Sequence, residues 1–110
     1  MLPWQEIVIE TLFLLRRGNS FGRLPALLAF YRLQLLARTY PGRQGTTTLY
    51  GYQLRYADPR VIALLFVEIF LREPYKIALP PNPRIFDCGA NMGMSAAYFY
   101  LRHPGARILA

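Results

Sequence analysis

Near the end of the chain, Arg84-Ile85-Phe86-Asp87-Cys88-Gly89-Ala90-Asn91-Met92-Gly93-Met94-Ser95 brings one acid and two glycines into a short stretch. An apolar run rises to Asp87, and two glycines four apart lead into a helix-like segment. At the carboxyl end of a first parallel strand, a chain must reverse sharply into the following helix. Gly89 allows backbone angles that a side chain forbids, and it lets a ligand approach the main chain. Gly93 lets the helix start pack close to the strand, or lets a ligand come close to the helix. The free N–H groups of a helix start favour a negative or acceptor group. Open α/β sheets bind ligands at this edge. The plain structural alternative is that Asp87 caps the helix and both glycines serve an ordinary strand–helix turn.

The identity of such a ligand follows from what the turn lacks. A dinucleotide turn needs G-x-G-x-x-G after a strand. Here Asn91 stands at the second glycine position and no third glycine follows, so a nicotinamide cofactor and an oxidoreductase are disfavoured. The phosphate-cradling G-x-x-x-x-G-K-[ST] is absent too. An acid at the strand end repels phosphate and suits a ligand with a positive group. S-adenosylmethionine has an ammonium, a sulfonium and no phosphate, and it fits these demands.

The stretch FDCGANMGMSAAYFYLRHPGARILA resembles the first motif of the FkbM-type S-adenosylmethionine-dependent methyltransferases. Their hallmark is an Asp-x-Gly-Ala-Asn-x-Gly-x-Ser turn, an aromatic-containing helix and a Pro-x-Ala-x-Ile/Val strand. The preceding stretch LYGYQLRYADPRVIALLFVEIFLREPYKI resembles the segment before that motif in bacterial members. The resemblance spans roughly residues 50–110. It implies a Rossmann-like class I methyltransferase sheet, begun here and incomplete. It places Asp87, Gly89, Ala90, Asn91 and Gly93 around the methionine end of the cofactor, with Asp87 meeting the ammonium. Ser95 matches the motif's serine, in a capping or orienting place. The activity implied is O-methylation of a hydroxyl on a sugar, lipid or secondary metabolite, so the acceptor is a small molecule or glycan. In that family an acid at the end of the second strand holds the ribose. No acid follows Asp87 in this sequence. The chain is therefore expected to be the N-terminal portion of a methyltransferase, inactive alone and completed by a missing half or by a homo-oligomer.

The elements that must position this turn are also readable. Residues 84–88 and 106–110 read as strands and 92–102 as the helix between them, with Met94, Ala97, Tyr98 and Leu101 on its buried face. This is one βαβ unit, expected to be parallel with a right-handed crossover. Upstream, residues 3–17 read as a helix with Ile7, Thr11, Leu14 and Leu15 near one face. Leu24, Leu27, Leu28, Tyr31 and Leu35 mark a second helix at i, i+3, i+4, i+7, i+11 spacing. Ala29, Phe30, Leu33 and Leu36 make that helix apolar on its other faces too, so it wants cover on more than one side. Residues 46–56 alternate as a strand or tight hairpin, with Tyr50, Tyr52, Leu54 and Tyr56 on one face. Asp58-Pro59 announces a helix over 60–73, because Asp caps and Pro suits the first helical position. Pro80-Pro81-Asn82-Pro83 is a rigid spacer. The fold class expected is α/β, organised as a helical region 1–45, a hairpin-and-helix extension 46–79 and the start of a cofactor domain at 83–110.

Composition narrows the function classes. A hydrophobic fraction of 54% excludes a disordered chain. The longest charge-free run is 88–101, interrupted by Gly89, Asn91 and Gly93, so no membrane span is expected. No signal peptide is evident, and a cytoplasmic location is expected. Cys88 and His103 are the single cysteine and histidine, which excludes an internal disulfide and gives no metal site. The net charge of +7 includes five arginines and no acid between Gly18 and Ala57. They are scattered singly among apolar residues, so a solvated or partner-facing surface is expected rather than a nucleic-acid groove. Glu68 and Glu73 are expected as helix-surface charges, and no residue is assigned as a catalytic base. The competing reading is a non-enzymatic chain whose basic, apolar helices 1–40 meet a partner or a membrane surface peripherally.

Overall fold

Charge and capping residues set the first helix. Helix α1 (Trp4–Arg17) carries Glu6 in its first turn and Arg16 and Arg17 in its last, matching the helix dipole at both ends. Gly18 closes it at φ 72°, where its N–H donates to Leu14 O at 2.8 Å. The computed structural model describes residues 2–86 and 93–109. Helix α2 (Arg23–Thr39) returns beside α1. The two run antiparallel: Arg38 bonds Leu2 O, Tyr31 OH bonds Thr11 Oγ1, and Arg23 Nε donates to Leu15 O.

Of the two apolar stripes on α2, the one that marks the helix by its leucine spacing is not the one that meets the core. Leu24, Leu28 and Leu35 are 65%, 60% and 65% exposed, and Tyr31 is exposed as well. Leu27 is only partly buried. The stripe that faces the core is Ala26, Ala29, Phe30, Leu33, Gln34 and Ala37. Both stripes have helical spacing, so periodicity alone does not choose between them. Size decides: three alanines let neighbouring elements approach α2, while Phe30 and Leu33 fill the space that remains. On α1 the core takes Ile7, Leu14 and also Glu10, while Leu15 stays exposed.

Residues 45–56 form the tighter of the two expected alternatives, a hairpin. Strands β1 (Gly45–Leu49) and β2 (Tyr52–Tyr56) pair antiparallel, from Gly45 opposite Tyr56 to Leu49 opposite Tyr52. Tyr50 and Gly51 make the two-residue turn, both with positive φ (48° and 87°), the sign pattern of a type I′ hairpin. Tyr50 therefore leaves the expected row. Leu54 and Tyr56 point into the core, Tyr52 is exposed, and the Tyr50 ring stacks on Phe21 at 4.8 Å.

Helix α3 (Pro59–Phe66) starts as expected: Asp58 accepts from Arg60 N at 3.0 Å and Pro59 opens the first turn. It does not continue as one α-helix to Glu73. From Val67 to Leu71 the chain widens into a π-helical segment, and Arg72 N donates to Val67 O at 3.0 Å. The wider turn sends Val67, Ile69, Phe70 and Leu71 into the core together and leaves Glu68 exposed.

Strands β3 (Arg84–Phe86) and β4 (Arg107–Leu109) pair in parallel, Ile85 opposite Ile108, with helix α4 (Met94–Arg102) between them in sequence. Arg107 N donates to Pro83 O at 2.8 Å, tying the proline-rich spacer to the second strand. The described residues thus make an α/β arrangement with two two-stranded sheets. One core cluster draws on all parts of the chain, including Leu14, Phe30, Leu49, Phe66, Phe70 and Tyr98. No helix among the described residues is long and apolar enough to cross a membrane.

The core-facing stripe of α2 has a direct test. Leu33→Ala removes a buried side chain and is expected to cost about 2–5 kcal/mol. Leu28→Ala on the exposed stripe is expected to stay within about 0.5 kcal/mol of the parent. Urea unfolding of the two variants measures both, and the reverse order would place the outer stripe in the core.

Candidate functional site

The sequence-predicted turn joins β3 to α4. Asp87, Gly89, Ala90 and Asn91 lie outside the described residues, as does Cys88. Gly93 and Ser95 are described, and they define how the site is built from its helical side.

Gly93 is the N-cap of α4, in the left-handed conformation at φ 78° and ψ 5°. A Cβ built there would meet no atom within 4 Å. The glycine is thus required by its backbone angle, and the space beside it is open. Gly93 itself supplies no side-chain cap to this helix start. The first N–H groups of an α-helix point away from its internal ladder, and such groups donate to negative or acceptor atoms. Ser95 lies in the first helical turn and is buried, which fits an orienting place better than a surface one.

The rest of α4 is held by aromatic packing. Met94, Ala97 and Tyr98 are buried, as the sequence spacing predicts, with Leu101 partly buried; Phe99 is buried as well. Tyr98 meets Phe70 edge-on, with centroids 5.4 Å apart and planes at 78°. It meets Phe21 in the same way at 5.8 Å and 82°. Such edge-to-face pairs are among the favoured aromatic geometries.

A polar contact fixes the register. Tyr98 O–H donates to Glu73 Oε1 at 3.1 Å. Glu73 Oε2 accepts from the Ser20 N–H at 3.4 Å. Asn19 Nδ2 donates to Phe70 O at 2.7 Å, and Phe21 N–H donates to Asn19 Oδ1 at 3.0 Å. Glu73 is therefore not the helix-surface charge expected from the sequence. It is half-buried, has a positive φ of 49°, and joins the α1–α2 connection to α4. One signal was available beforehand: a buried tyrosine needs a partner for its hydroxyl. No local pattern singles out Glu73 as that partner, because the bond spans the whole proline-rich segment.

The same carboxylate shapes the local electrostatics. Burial, then the negative charge of Glu73, pushes the Tyr50 phenol up to about 12. Tyr98 is raised further by burial, by the Glu73 charge and by its hydrogen bond, with Arg102 partly opposing. At the other end of the molecule, Arg60 and backbone N–H groups hold Asp58 well below the usual carboxylate range. Among the described residues no cluster of His, Cys, Asp or Glu could hold a metal ion.

On the sheet side, Arg84, Ile85, Phe86, Arg107, Ile108 and Leu109 line a shallow hollow of about 290 Å³. Phe86 is 74% exposed and Leu109 is exposed too. As expected for a parallel pair of two strands, its apolar face is largely uncovered.

With this geometry in hand, similarity to known proteins adds one class of activity. Over 57 residues, half of the chain, the sequence is 44% identical to a protein of Sordaria araneosa named methyltransferase sdnD. Over 49 residues, 42% of the chain, it is 41% identical to the AMB antimetabolite synthetase AmbE of Pseudomonas aeruginosa. The matched stretches span 22% and 2% of those two proteins. No protein-family model matches the chain, and no solved structure matches it. The class supported is a methyltransferase, through partial similarity.

Two outcomes follow from the site geometry. Gly93→Ala puts a side chain into the left-handed region and is expected to cost about 1–2 kcal/mol in thermal or urea unfolding, although no atom blocks it. An unchanged stability would mean that the positive φ at α4 is not required. For the tyrosines, the sign follows from the raised folded-state values. The neutral phenols favour the native state fully below pH 10, the ordinary tyrosine value, and that contribution is lost as pH rises toward about 12. Phenolate absorbance should show late-titrating tyrosines in the folded chain, with unfolding stability falling over the same interval. Titration of all tyrosines together near pH 10 would contradict the burial of Tyr50 and Tyr98.

Proposed function

We propose that this chain carries the first cofactor turn of an S-adenosylmethionine-dependent methyltransferase of the FkbM type. The observation that supports it most is the pairing of β3 and β4 in parallel around α4, with Gly93 left-handed and unobstructed at the helix start. In sequence, β3 ends just before the Asp-x-Gly-Ala-Asn-x-Gly-x-Ser string and α4 begins in its last residues, and a methyltransferase shares 44% identity over half the chain.

When bound, S-adenosylmethionine supplies a methyl group activated by a cationic sulfur. The chain's own residues would hold and orient it. Asp87 would accept from the ammonium, and its charge would favour the sulfonium over a phosphate. Gly89, Ala90 and Asn91 would line the turn, and Gly93 keeps side-chain atoms away from the start of α4. N–H groups at the helix start would donate to the carboxylate of the methionine moiety. Ser95, buried in the first turn, would fix the helix start rather than touch the cofactor.

The acceptor in this reading is a hydroxyl on a sugar, lipid or secondary metabolite. Transfer to oxygen depends mainly on alignment of acceptor and methyl donor, with a base to take the hydroxyl proton. Residues 1–110 offer no acid after Asp87 for a ribose. Ribose, adenine and acceptor contacts therefore fall to segments outside these residues, and residues 1–110 alone bind the cofactor weakly and do not turn over. The cytoplasm is the location this reading implies.

Amide shifts of the isotope-labelled chain test the proposal. Millimolar S-adenosylmethionine should move the amides of 87–95, whereas ATP and NADH at the same concentration should not. Asp87→Asn removes a charged acceptor and should weaken the effect about tenfold. Equal shifts with ATP, or no change in Asp87→Asn, would sink the reading.

A further inference from the structure

We propose that the α1–α2 face is a docking surface for an anionic lipid bilayer. The observation is a continuous apolar stripe that the structure leaves exposed on both helices. On α2 it runs through Leu24, Leu28, Tyr31 and Leu35, and on α1 through Trp4, Val8 and Leu12, all exposed. The two helices share one face, because Trp4, Val8, Leu12, Tyr31, Leu35 and Arg38 line a single open groove of about 470 Å³. Trp4 is 72% exposed at one end of this face. Exposed apolar patches of this continuity mark interaction surfaces on soluble chains.

Charge selects the occupant. Arg16, Arg23, Arg32 and Arg38 are all exposed on the two helices. No acid occurs between Gly18 and Ala57. On α1, Glu10 is buried and paired with Arg72. Glu6 is two residues from Trp4, a position that helix geometry places on nearly the opposite side. On the two helices, the groove is thus lined mainly by apolar residues and Arg38, with no exposed acid on that face. An interfacial helix has this composition: Trp and Leu enter the headgroup boundary while arginines meet anionic lipid.

A second copy of the chain suits the face less well. A two-fold contact sets the same patch against itself, so the arginines of one copy would oppose those of the other. Further strands of an α/β sheet are not its natural cover either, since the uncovered sheet surface lies elsewhere, at Phe86 and Leu109. A bilayer answers both the apolar stripe and the positive charge. It would place α1 and α2 on the membrane and would bring a lipid-borne or lipid-soluble substrate near the chain.

Co-sedimentation of the 110-residue chain with vesicles tests this. Vesicles of phosphatidylglycerol and phosphatidylcholine should bind it, and pure phosphatidylcholine should bind at least about tenfold less. Raising the salt should release it. Leu28→Glu combined with Leu35→Glu should lower the bound fraction about tenfold or more, with helix content by circular dichroism unchanged. Arg16→Glu combined with Arg38→Glu should abolish the preference for anionic vesicles and leave weak binding to neutral ones. Wild type remaining in the supernatant with both vesicles would overturn the proposal. So would equal binding to both vesicles, or undiminished binding of the Leu28/Leu35 variant. A concentration-dependent dimer in light scattering, without vesicle binding, would assign the face to a second copy instead.

Discussion

The aromatic block around Phe70 is the constraint on which the rest depends. Phe66 and Phe70 stack at 5.4 Å with planes 5° apart. Phe21 and Tyr50 pack on Phe70 at 5.4 and 5.8 Å, and Tyr98 meets it edge-on. These five rings come from the α1–α2 connection, the hairpin turn, α3, the π segment and α4. Each ring buries a large apolar area, and each pair adds a preferred geometry. Moving any one element would open a void beside Phe70, and a packed interior tolerates voids poorly. The orientation of α4, and therefore of the Gly93 corner, is fixed from behind by this block. The short strands contribute less, because β3 and β4 pair over three residues each.

Polar groups supply register where rings alone would allow sliding. Glu73 receives the Tyr98 hydroxyl and the Ser20 amide, so α4 and the α1–α2 connection share one acceptor. On the other side of the same segment, Arg72 pairs with the buried Glu10 and lies 4.2 Å over the Phe13 ring. Adjacent residues of opposite charge thus tie the end of the π segment to α1 and to α4. Glu10 is buried while Arg72 is partly exposed, so loss of Arg72 would leave an uncompensated buried carboxylate. The π segment makes this possible. Its wider turn delivers Phe70 and Leu71 to the core and still lets Arg72 and Glu73 diverge to separate partners.

Much of this was legible in the sequence where a local rule had one solution. Asp58-Pro59 allows little other than a helix start, and the structure places the cap there. The Pro-Gly break after His103 ends α4, and β3 and β4 pair in parallel as a βαβ unit requires. The buried face of α4 followed from Met94, Ala97 and Tyr98. Legibility failed where two solutions obeyed the same rule. On α2, leucine and alanine stripes have the same period, and only the tight approach of neighbouring elements selects the alanines. On β2, alternation continued smoothly into Tyr50, but a two-residue turn took that residue out of the strand. A π turn leaves no composition signal, so 60–73 read as one helix. The candidate cofactor turn was the most specific string in the chain, and of its residues the described ones are Gly93 and Ser95.

The exposed surface divides into two kinds, and the difference bears on function. Phe86 and Leu109 face outward from a two-stranded parallel sheet, an element that is normally buried on both faces. Their exposure is what any interior sheet of an α/β fold would show without its neighbours, and it says little about ligands. The α1–α2 face is different. Arg38 lines its groove and other exposed arginines stand on the same two helices, and a charged side chain is costly to bury unless it is paired. A protein interior would be a poor place for Arg38, which bonds the backbone carbonyl of Leu2. Surfaces that mix leucine, tryptophan and unpaired arginine keep the charges at a wet boundary while the apolar groups leave water. On the two proposals, the Gly93 corner and the basic apolar face therefore ask for different neighbours, one a small cationic ligand and one an extended anionic surface.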